Sequence, residues 1–521
     1  MKLLARTSIC LALAGPLNAA EAPSGIDWQV HNAATFDKAQ QANRLVLIDL
    51  VAVWCHWCHV MDKTTYRDDQ VQAVIDRHYV AIKADHDARP DLAERYRDYG
   101  WPATIIMTAD GRELIKRAGY IEAGRMKSLL DRALVMRDQL EPGREAEAFV
   151  PVAVNLTPDL REKLEQRHRN THDMHHGGLR LMQKFLDEDS VMYDLELALR
   201  GDNEAEKRAR QSLNAAARLL DPEFGGAYQY STHGDWKHPH YEKIATTQAT
   251  YLRVYSRAYA QLGDEVFLNV ARQVGDYLLE FWHSPEGGFY NSQDADLVQG
   301  QKAHEYFALP RSERLAQGVP RIDRNRYASS NGLLVEGLLS LYAVHNDKRY
   351  LAAAVQAFDW TLRSRMRDDG GFAHGEADVA GPYLADNLYM AKAMLAIYHV
   401  SGQDLWLNRA RRLAVYIQEK FARPEGGLLA AVDNGTPVKP LPQIDQNIQA
   451  AHFLLQLADE GRAAELQPFI AEIMRYLVNQ PVVTSRLSDP GILLADERFR
   501  ALREQEARVI PESLEVRDVY L

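Results

Sequence analysis

The stretch Leu45-Val-Leu-Ile-Asp-Leu-Val-Ala-Val-Trp54, followed directly by Cys55-His-Trp-Cys58, decides the fold of the first third of this 521-residue chain. Its first part is an almost unbroken apolar, β-branched run, which is typical of a strand buried on both faces of a sheet. Asp49 is the one charge in that run. Cys55 then opens a helical stretch, where unpaired backbone N–H groups favour a thiolate. A protonated His56 would lower the pKa of the Cys55 thiol further.

The segments around this motif alternate between strand and helix. Tyr79-Val-Ala-Ile-Lys-Ala84 predicts a second strand. Gly100-Trp-Pro-Ala-Thr104 predicts a turn that leads into a third strand at 105–107. A further helix from about Ala123 completes a small α/β unit over residues 26–140.

The order of strand, Trp-Cys-x-x-Cys, helix and Pro-Thr turn resembles the thioredoxin superfamily. The resemblance implies that Cys55 is an exposed attacking cysteine and that Cys58 resolves the mixed disulfide. It also implies that Pro102 is a cis-proline facing the pair and that Asp49 shuttles a proton to the second thiol. The residues expected to support this site are Trp54, His56 and Trp101.

The residue chemistry of Asp49 gives a separate argument for its role. Burying an unpaired carboxylate in a strand costs several kcal/mol. Asp49 is therefore expected either to have a partner or to have a shifted pKa that serves the chemistry of the site. A bland, hydrogen-bonded aspartate is the alternative.

Two other interpretations of the cysteine motif stay open. Cys55 to His59 also reads C-x-x-C-H, the attachment motif of a c-type haem. The two cysteines with His56 and His59 could instead hold a metal ion, although five consecutive positions are a cramped source of tetrahedral ligands. The buried strand before the motif and the Trp-Pro-Ala-Thr turn after it favour the redox interpretation. We therefore predict no metal and no cofactor.

The rest of the chain carries an internal repeat. Gly-Gly pairs recur at 177/178, 225/226, 287/288, 370/371 and 426/427. Between them lie amphipathic helical hairpins, one per repeat, at about 187–220, 242–282, 329–366, 383–421 and 444–477. A lone helix near 158–170 could complete the set with a partner. The sequence therefore predicts an all-α domain of stacked hairpins.

Repeated hairpins either form an open solenoid or close into a ring. Long polar segments follow each Gly-Gly pair, and in a ring they would gather at one rim, which favours the closed form. Aromatic and carboxylate side chains in a concave mouth suit a carbohydrate-like ligand, and paired carboxylates could act as acid and base. The residues expected to line this cavity are Tyr228, Trp236, His240, Glu242, Asp294, Asp296, Asn331, His374 and Asp386.

Both parts together resemble the thioredoxin-domain family of the spermatogenesis-associated thioredoxin-like protein. The motifs that carry the resemblance are Cys55-His-Trp-Cys-His-Val-Met61, Asp235-Trp-Lys-His-Pro-His-Tyr-Glu-Lys243 and Phe289-Tyr-Asn-Ser-Gln-Asp-Ala-Asp296. It implies an α/β thioredoxin fold joined to an (α/α)6 toroid of six hairpins, similar to that of glycoside hydrolases and sugar 2-epimerases. This chain departs from the family at Leu297-Val-Gln299 and at Ser330.

Charge and the N-terminus bound the location and partners. The formal net charge of −11 argues against nucleic acid as a partner. Lys2 and Arg6 precede an apolar run that ends near alanines 19, 20 and 22, the layout of a secretory signal peptide. We expect a periplasmic or secreted protein that is not held in a membrane after cleavage. Cys10 would leave with the signal, so the mature chain would keep only the Cys55 and Cys58 thiols.

These observations predict five segments and one principal activity. The segments are a signal peptide at 1–20, a thioredoxin-like domain at 26–140, a linker at 141–157, the toroid at 158–480 and a C-terminal arm of unplaced structure at 481–521. The activity is thiol–disulfide exchange through Cys55 and Cys58, with a redox protein or client polypeptide as partner and a carbohydrate-like or peptide ligand in the toroid. The alternatives are a sugar hydrolase or epimerase in the toroid, and a non-catalytic scaffold that binds proteins.

Overall fold

The structure is a computed structural model that describes residues 25–97, 100–139, 153–376, 378, 380–461 and 463–515, with side chains not described at 463 and 506–515. The predicted signal peptide and most of the predicted linker lie outside the described residues.

The N-terminal domain is built from one sheet with helices on both faces. Its elements are α1 (Ala33–Gln41), β1 (Leu45–Val51), α2 (His56–Lys63), a 3-10 turn (Thr65–Arg67), α3 (Asp69–His78), β2 (Tyr79–Asp85), α4 (Pro90–Tyr96), β3 (Ala103–Met107), β4 (Glu113–Ala118) and α5 (Ala123–Asp138). The strand order is β2-β1-β3-β4, with β1 parallel to β2 and antiparallel to β3, and with β3 antiparallel to β4.

Strand β1 is the centre of this domain. Residues 45–50 are buried and alternate between two apolar groups, one on each face of the sheet. This burial explains why the strand is apolar at every position except Asp49, rather than alternating between apolar and polar residues. The strand ends beside Cys55, so the cysteine motif starts at the edge of the sheet where β1 gives way to α2.

The C-terminal domain is helical. Its helices are α6 (Pro158–Thr171), α7 (Glu188–Leu199), α8 (Asn203–Ala216), α9 (Ala245–Leu262), α10 (Glu265–Tyr277), α11 (His304–Phe307), α12 (Arg311–Gln317), α13 (Ala328–His345), α14 (Lys348–Arg365), α15 (Leu384–Ser401), α16 (Asp404–Phe421), α17 (Ile444–Asp459), α18 (Ala463–Leu477), α19 (Gln480–Val483) and α20 (Pro490–Glu515). The short strands are β5 (Tyr230–Thr232), β6 (His238–His240), β7 (Lys243–Ile244), β8 (Ser292–Gln293) and β9 (Ile322–Asp323), and short 3-10 and π turns follow α8 and α10.

The helices close into a ring. Helices α7, α9, α13, α15, α17 and α20 form the inner layer, each packed against the next, and α20 returns to α7. Their outer partners are α8, α10, α14, α16, α18 and α6. The sixth hairpin therefore pairs the lone helix α6 with α20, from the region expected to be an unplaced arm, and the helical domain extends past the predicted boundary at 480. The ring form is confirmed over the open solenoid.

The Gly-Gly pairs fix where each hairpin meets the next. Gly225 has φ of +73°, and a Cβ at this position would lie 2.5 Å from the carbonyl oxygen of Gln273 in α10. Gly426 approaches Glu472 of α18 in the same way. These positions need glycine because the backbone is left-handed and the neighbouring helix leaves no room for a side chain.

An amide side chain near the start of an inner helix clamps the segment after four of the Gly-Gly pairs. Asn331 accepts a hydrogen bond from the Phe289 N–H at 2.7 Å and donates one to the Phe289 carbonyl at 3.2 Å. Gln248 and Asn447 clamp Ala227 and Leu428 through both backbone groups, and Asn387 binds the Phe372 N–H. The clamps hold the polar segments at one end of the ring.

The N-terminal domain lies on that end of the ring. Lys63 of α2 donates to the Gln299 carbonyl at 2.7 Å, and Arg95 of α4 donates to the Lys439 carbonyl at 2.9 Å. Val438 packs into the apolar group on one face of the N-terminal sheet. The described part of the chain contains no helix long and apolar enough to cross a membrane.

Candidate functional site

Cys55 and Cys58 form a disulfide at the start of α2. Cys55 is the N-cap of this helix, and its Sγ accepts a hydrogen bond from the Cys58 N–H at 3.1 Å. A sulfur at this place receives the positive end of the helix dipole and a backbone N–H, and both stabilise a thiolate after reduction. As predicted, the cysteine motif lies between the end of β1 and the start of α2, which places the Cys55 sulfur at the helix N-terminus.

Asp49 is buried in the middle of β1. Its register partners are Lys83 on β2 and Thr104 on β3. The Lys83 ammonium lies 3.7 Å from the carboxylate, which has no hydrogen-bond partner among the described residues. Burial raises the pKa of Asp49 to about 7, against the opposing charge of Lys83. A carboxyl group with this pKa can take up or release a proton near neutral pH.

Trp54 and Trp101 pack against the disulfide. Together with Ala52 and the two cysteines they form a small apolar group. The Trp54 indole N–H donates to the Asp87 carboxylate at 3.0 Å. The Trp101–Pro102 peptide bond is cis, as predicted.

The helical domain covers the disulfide. Ile244, the last residue of β7, packs against the apolar group around the cysteines. Cys55 is only 4% exposed and Cys58 3% exposed. The expectation that Cys55 is exposed is therefore wrong for this structure, because Cys55 lies inside an apolar group against which Ile244 of the other domain also packs.

Two histidine–aspartate pairs join α2 to the helical domain. The His56 Nδ1 atom lies 2.8 and 2.9 Å from the two carboxylate oxygens of Asp296. One turn further along α2, the His59 Nε2 atom lies 3.0 Å from Asp294. Both aspartate side chains are at most 2% exposed. Burial lowers the pKa of His59, but the Asp294 carboxylate outweighs this effect and raises the pKa overall.

Backbone groups fix both of these carboxylates. Asp294 accepts a hydrogen bond from the Asp296 N–H at 3.0 Å, and Asp296 accepts one from the Gly300 N–H at 2.7 Å. The predicted cavity residues Asp294 and Asp296 therefore face the redox motif of the other domain.

A third histidine at the rim also reaches the N-terminal domain. The His374 Nδ1 atom lies 2.9 Å from an Asp386 carboxylate oxygen, and its Nε2 atom lies 2.6 Å from the Asp87 carbonyl oxygen. Both partners are acceptors, so these contacts favour the form of His374 in which both ring nitrogens carry a proton. Burial opposes this charge, but Asp386 raises the pKa of His374. Asp386 also accepts a hydrogen bond from the Ser329 N–H.

His240 and Glu242 lie beside the strand that covers the disulfide. The His240 ring stacks on Tyr230 at 4.2 Å, and its Nδ1 atom lies 3.7 Å from the Glu242 carboxylate. Glu242 is buried, and its Oε2 atom has no hydrogen-bond partner within the described parts of the chain. Pairing of Lys243 with Gln293 places these residues at the same end of the ring as Asp294.

Three of the predicted cavity residues have structural contacts instead. Trp236 is buried in the helical core and donates its indole N–H to the Gly177 carbonyl. Tyr228 is buried edge-on against Tyr241. Asn331 is one of the amide clamps. Their polar groups bind the domain's own backbone or core, so sequence proximity to the Gly-Gly pairs misassigned them.

Residues that the sequence analysis missed complete the interface. His86 and Asp87 follow β2, and His86 donates to the Asp87 carboxylate at 2.8 Å. Two further contacts join α2 to the helical domain. Ile244 packs against the apolar group around the cysteines, and Lys63 of α2 donates to the Gln299 carbonyl. Ile244 directly follows the polar motif that ends at Lys243, and this position is the feature of the sequence that could have indicated its role.

One group of atoms has the composition of a metal site. Ligand atoms of His59, Asp294 and Asp296 lie within 4.8 Å of one another. Each carboxylate is already bound by a histidine and a backbone N–H, and these contacts explain the cluster without an ion. The two cysteine sulfurs are bonded to each other and belong to no such group among the described residues.

Comparisons with known proteins agree with this two-part architecture. Residues 14–137 match the family model Thioredox_DsbH, described as a protein of unknown function, DUF255. Spermatogenesis-associated protein 20 of Homo sapiens is 22% identical over 582 residues, which cover 83% of this chain and 73% of that protein. Thiol:disulfide interchange protein DsbD 1 of Pseudomonas aeruginosa is 30% identical over 105 residues, 19% of this chain and 18% of that protein.

The helical domain has a structural counterpart. A crystal structure of D-mannose isomerase matches 68% of this chain and 100% of its own chain, with a TM-score of 0.51 and 12% identity. At this identity the match concerns the fold alone. The predicted fold, a thioredoxin-like domain followed by an (α/α)6 toroid, is confirmed, as is the resemblance to the spermatogenesis-associated proteins.

Proposed function

We propose that this protein exchanges thiols and disulfides through Cys55 and Cys58. The observation that carries the proposal is the disulfide at the N-cap of α2, with a backbone N–H on the Cys55 sulfur. Asp49, six residues before Cys55 and on β1, has a pKa raised to about 7 by burial. The similarity of the N-terminal domain to a thiol:disulfide interchange protein supports the same chemistry.

The reaction runs from the reduced form. The Cys55 thiolate attacks one sulfur of a substrate disulfide, and the other substrate sulfur leaves as a thiolate and takes up a proton. Cys58 then loses its proton to Asp49 and attacks the Cys55 sulfur of the mixed disulfide. The second substrate thiol is released, and two electrons have passed from the dithiol to the substrate. A redox protein must then reduce the Cys55–Cys58 disulfide again.

Exchange with a polypeptide requires the two domains to separate at the disulfide. In the closed arrangement both cysteines are buried and Ile244 packs against the apolar group that contains them, so Cys55 presents almost no surface to a substrate chain. Export completes the proposal, because an oxidising compartment maintains disulfides and the N-terminal twenty residues have the layout of a signal peptide.

Turnover of insulin disulfides by the reduced, mature protein tests the proposed exchange. We expect wild-type protein to reduce insulin in the presence of dithiothreitol and expect C55S to abolish the catalysed rate. C58S should trap a mixed disulfide with the substrate, because the resolving thiol is missing. A wild-type rate equal to that of C55S would contradict the proposal and would favour a non-catalytic scaffold that binds proteins.

A second candidate function is recognition of a carbohydrate-like ligand by the toroid. It is favoured by one observation, the unpartnered carboxylate oxygen of buried Glu242 beside the His240 ring stacked on Tyr230. Calorimetric titration with mono- and disaccharides tests it, with E242Q as the variant expected to weaken binding. Heats equal to those of dilution for the wild type would reject it.

A further inference from the structure

The His56–Asp296 pair links the two domains at the redox motif. His56 is one of the two residues between the cysteines, and Asp296 belongs to the helical domain. A cationic histidine beside Cys55 stabilises the thiolate, which stabilises the reduced state and makes the disulfide more oxidising. The state of this one imidazole therefore bears on the direction of electron flow, which the sequence leaves open.

The structure commits this imidazole to a carboxylate. The His56 Nδ1 atom lies within 2.9 Å of both Asp296 oxygens, and the carboxylate is held in turn by the Gly300 N–H. With the aspartate ionised, the pair carries no net charge when His56 is protonated and one negative charge when it is neutral. In neither state does it present a net positive charge to Cys55.

We propose that Asp296 is a positioning residue that neutralises His56 and so lowers the reduction potential of the Cys55–Cys58 disulfide. The inference rests on the proposed thiol–disulfide exchange. It assigns to the helical domain a role in that chemistry: docking favours the disulfide over the dithiol, so the transfer of electrons to a substrate disulfide, which takes place with the domains separated, becomes more favourable overall.

The chain offers a matched control for this effect. Asp294 is also buried, also accepts a hydrogen bond from a backbone N–H, and also binds a histidine of α2. Its partner His59 lies one helical turn beyond Cys55, outside the Cys-x-x-Cys segment. D294N and D296N therefore remove the same kind of interdomain contact, and only D296N frees the imidazole between the cysteines.

The test measures the equilibrium of the disulfide with oxidised and reduced dithiothreitol at pH 6, because mildly acidic conditions favour the imidazolium form of histidine. We expect D296N to favour the reduced form about tenfold more than the wild type, which corresponds to about 30 mV for a two-electron couple. D294N should stay within about twofold of the wild type. Alkylation of the reduced protein against pH should show a lower pKa for the Cys55 thiol in D296N only.

A second background shows whether the effect passes through His56. In H56A, the further change D296N should shift the equilibrium clearly less than it does with His56 present, because no imidazolium remains to be freed and only the charge of Asp296 itself is removed. Equal shifts in D294N and D296N, no shift, a shift towards the oxidised form, or a full shift in the H56A background would each overturn the proposal. Insulin turnover is scored separately, so loss of the proposed exchange activity is distinguishable from loss of the Asp296 effect.

Discussion

The redox face of the N-terminal domain and the rim of the helical domain are built in different ways. The redox face comes from one short stretch, residues 54–59, and from Asp49 on β1, the strand that precedes it. The rim comes from segments of separate hairpins, such as 292–300, 374–386 and 431–445, which only ring closure brings together. In the structure these two faces cover each other. A local motif thus acquires an environment that a distant part of the chain supplies.

The largest expected effect sharpens this comparison at the redox face. The folded-state pKa of Asp49, about 7, lies above the ordinary value near 3.9. The native state therefore binds a proton more tightly, and its stability falls as pH rises from about 4 to 7. D49N lacks this titration. As pH rises from about 4 to 7, the free energy of unfolding of D49N should therefore increase relative to that of the wild type by up to about 4 kcal/mol.

Urea unfolding at several pH values from 4 to 8 checks this expectation. The exposed Asp37 on α1 gives the matched control, since D37N should track the wild type at every pH. A constant difference between D49N and the wild type would show that the buried carboxyl does not titrate in this range.

The next effect concerns the rim. N331A leaves the N–H and carbonyl of Phe289 without their side-chain partner in a buried segment. Unsatisfied buried groups of this kind cost about 2–4 kcal/mol together. Thermal and urea unfolding should show this loss, whereas N214A, at an exposed position of α8, should stay within about 0.5 kcal/mol. A loss below about 1 kcal/mol for N331A would mean that the clamp does not hold the rim.

The smallest effect probes how the two faces cover each other. I244A removes side-chain contact with the apolar group around the disulfide. Weakening this contact by about 1 kcal/mol should raise the rate of disulfide reduction by dithiothreitol about five-fold. V266A shortens an exposed side chain on α10, so dithiothreitol should reduce its disulfide at the wild-type rate. If I244A and V266A react alike, Ile244 does not limit access to the cysteines.

The sequence by itself determined the two folds and the redox motif. A strand that is buried on both faces requires an apolar run. The cysteine motif follows that run directly and so lies where the next helix begins. Close contacts between helices require the glycine pairs. These are local demands that a sequence records in consecutive residues. The hairpins and the Trp54 to Cys58 motif were predictable for this reason, whereas the cis bond at Pro102 was implied by the resemblance to thioredoxins.

Only the tertiary structure decided what faces the motif. Ring closure by α6 and α20 joins segments more than 300 residues apart, and docking of the two domains pairs His56 with Asp296, 240 positions along the chain. Such contacts leave no periodic or local signature, so Asp294 and Asp296 read as ligand-binding residues and Cys55 as exposed. The physical reason is that side-chain pairing across domains depends on where whole rigid units meet, which consecutive residues do not encode.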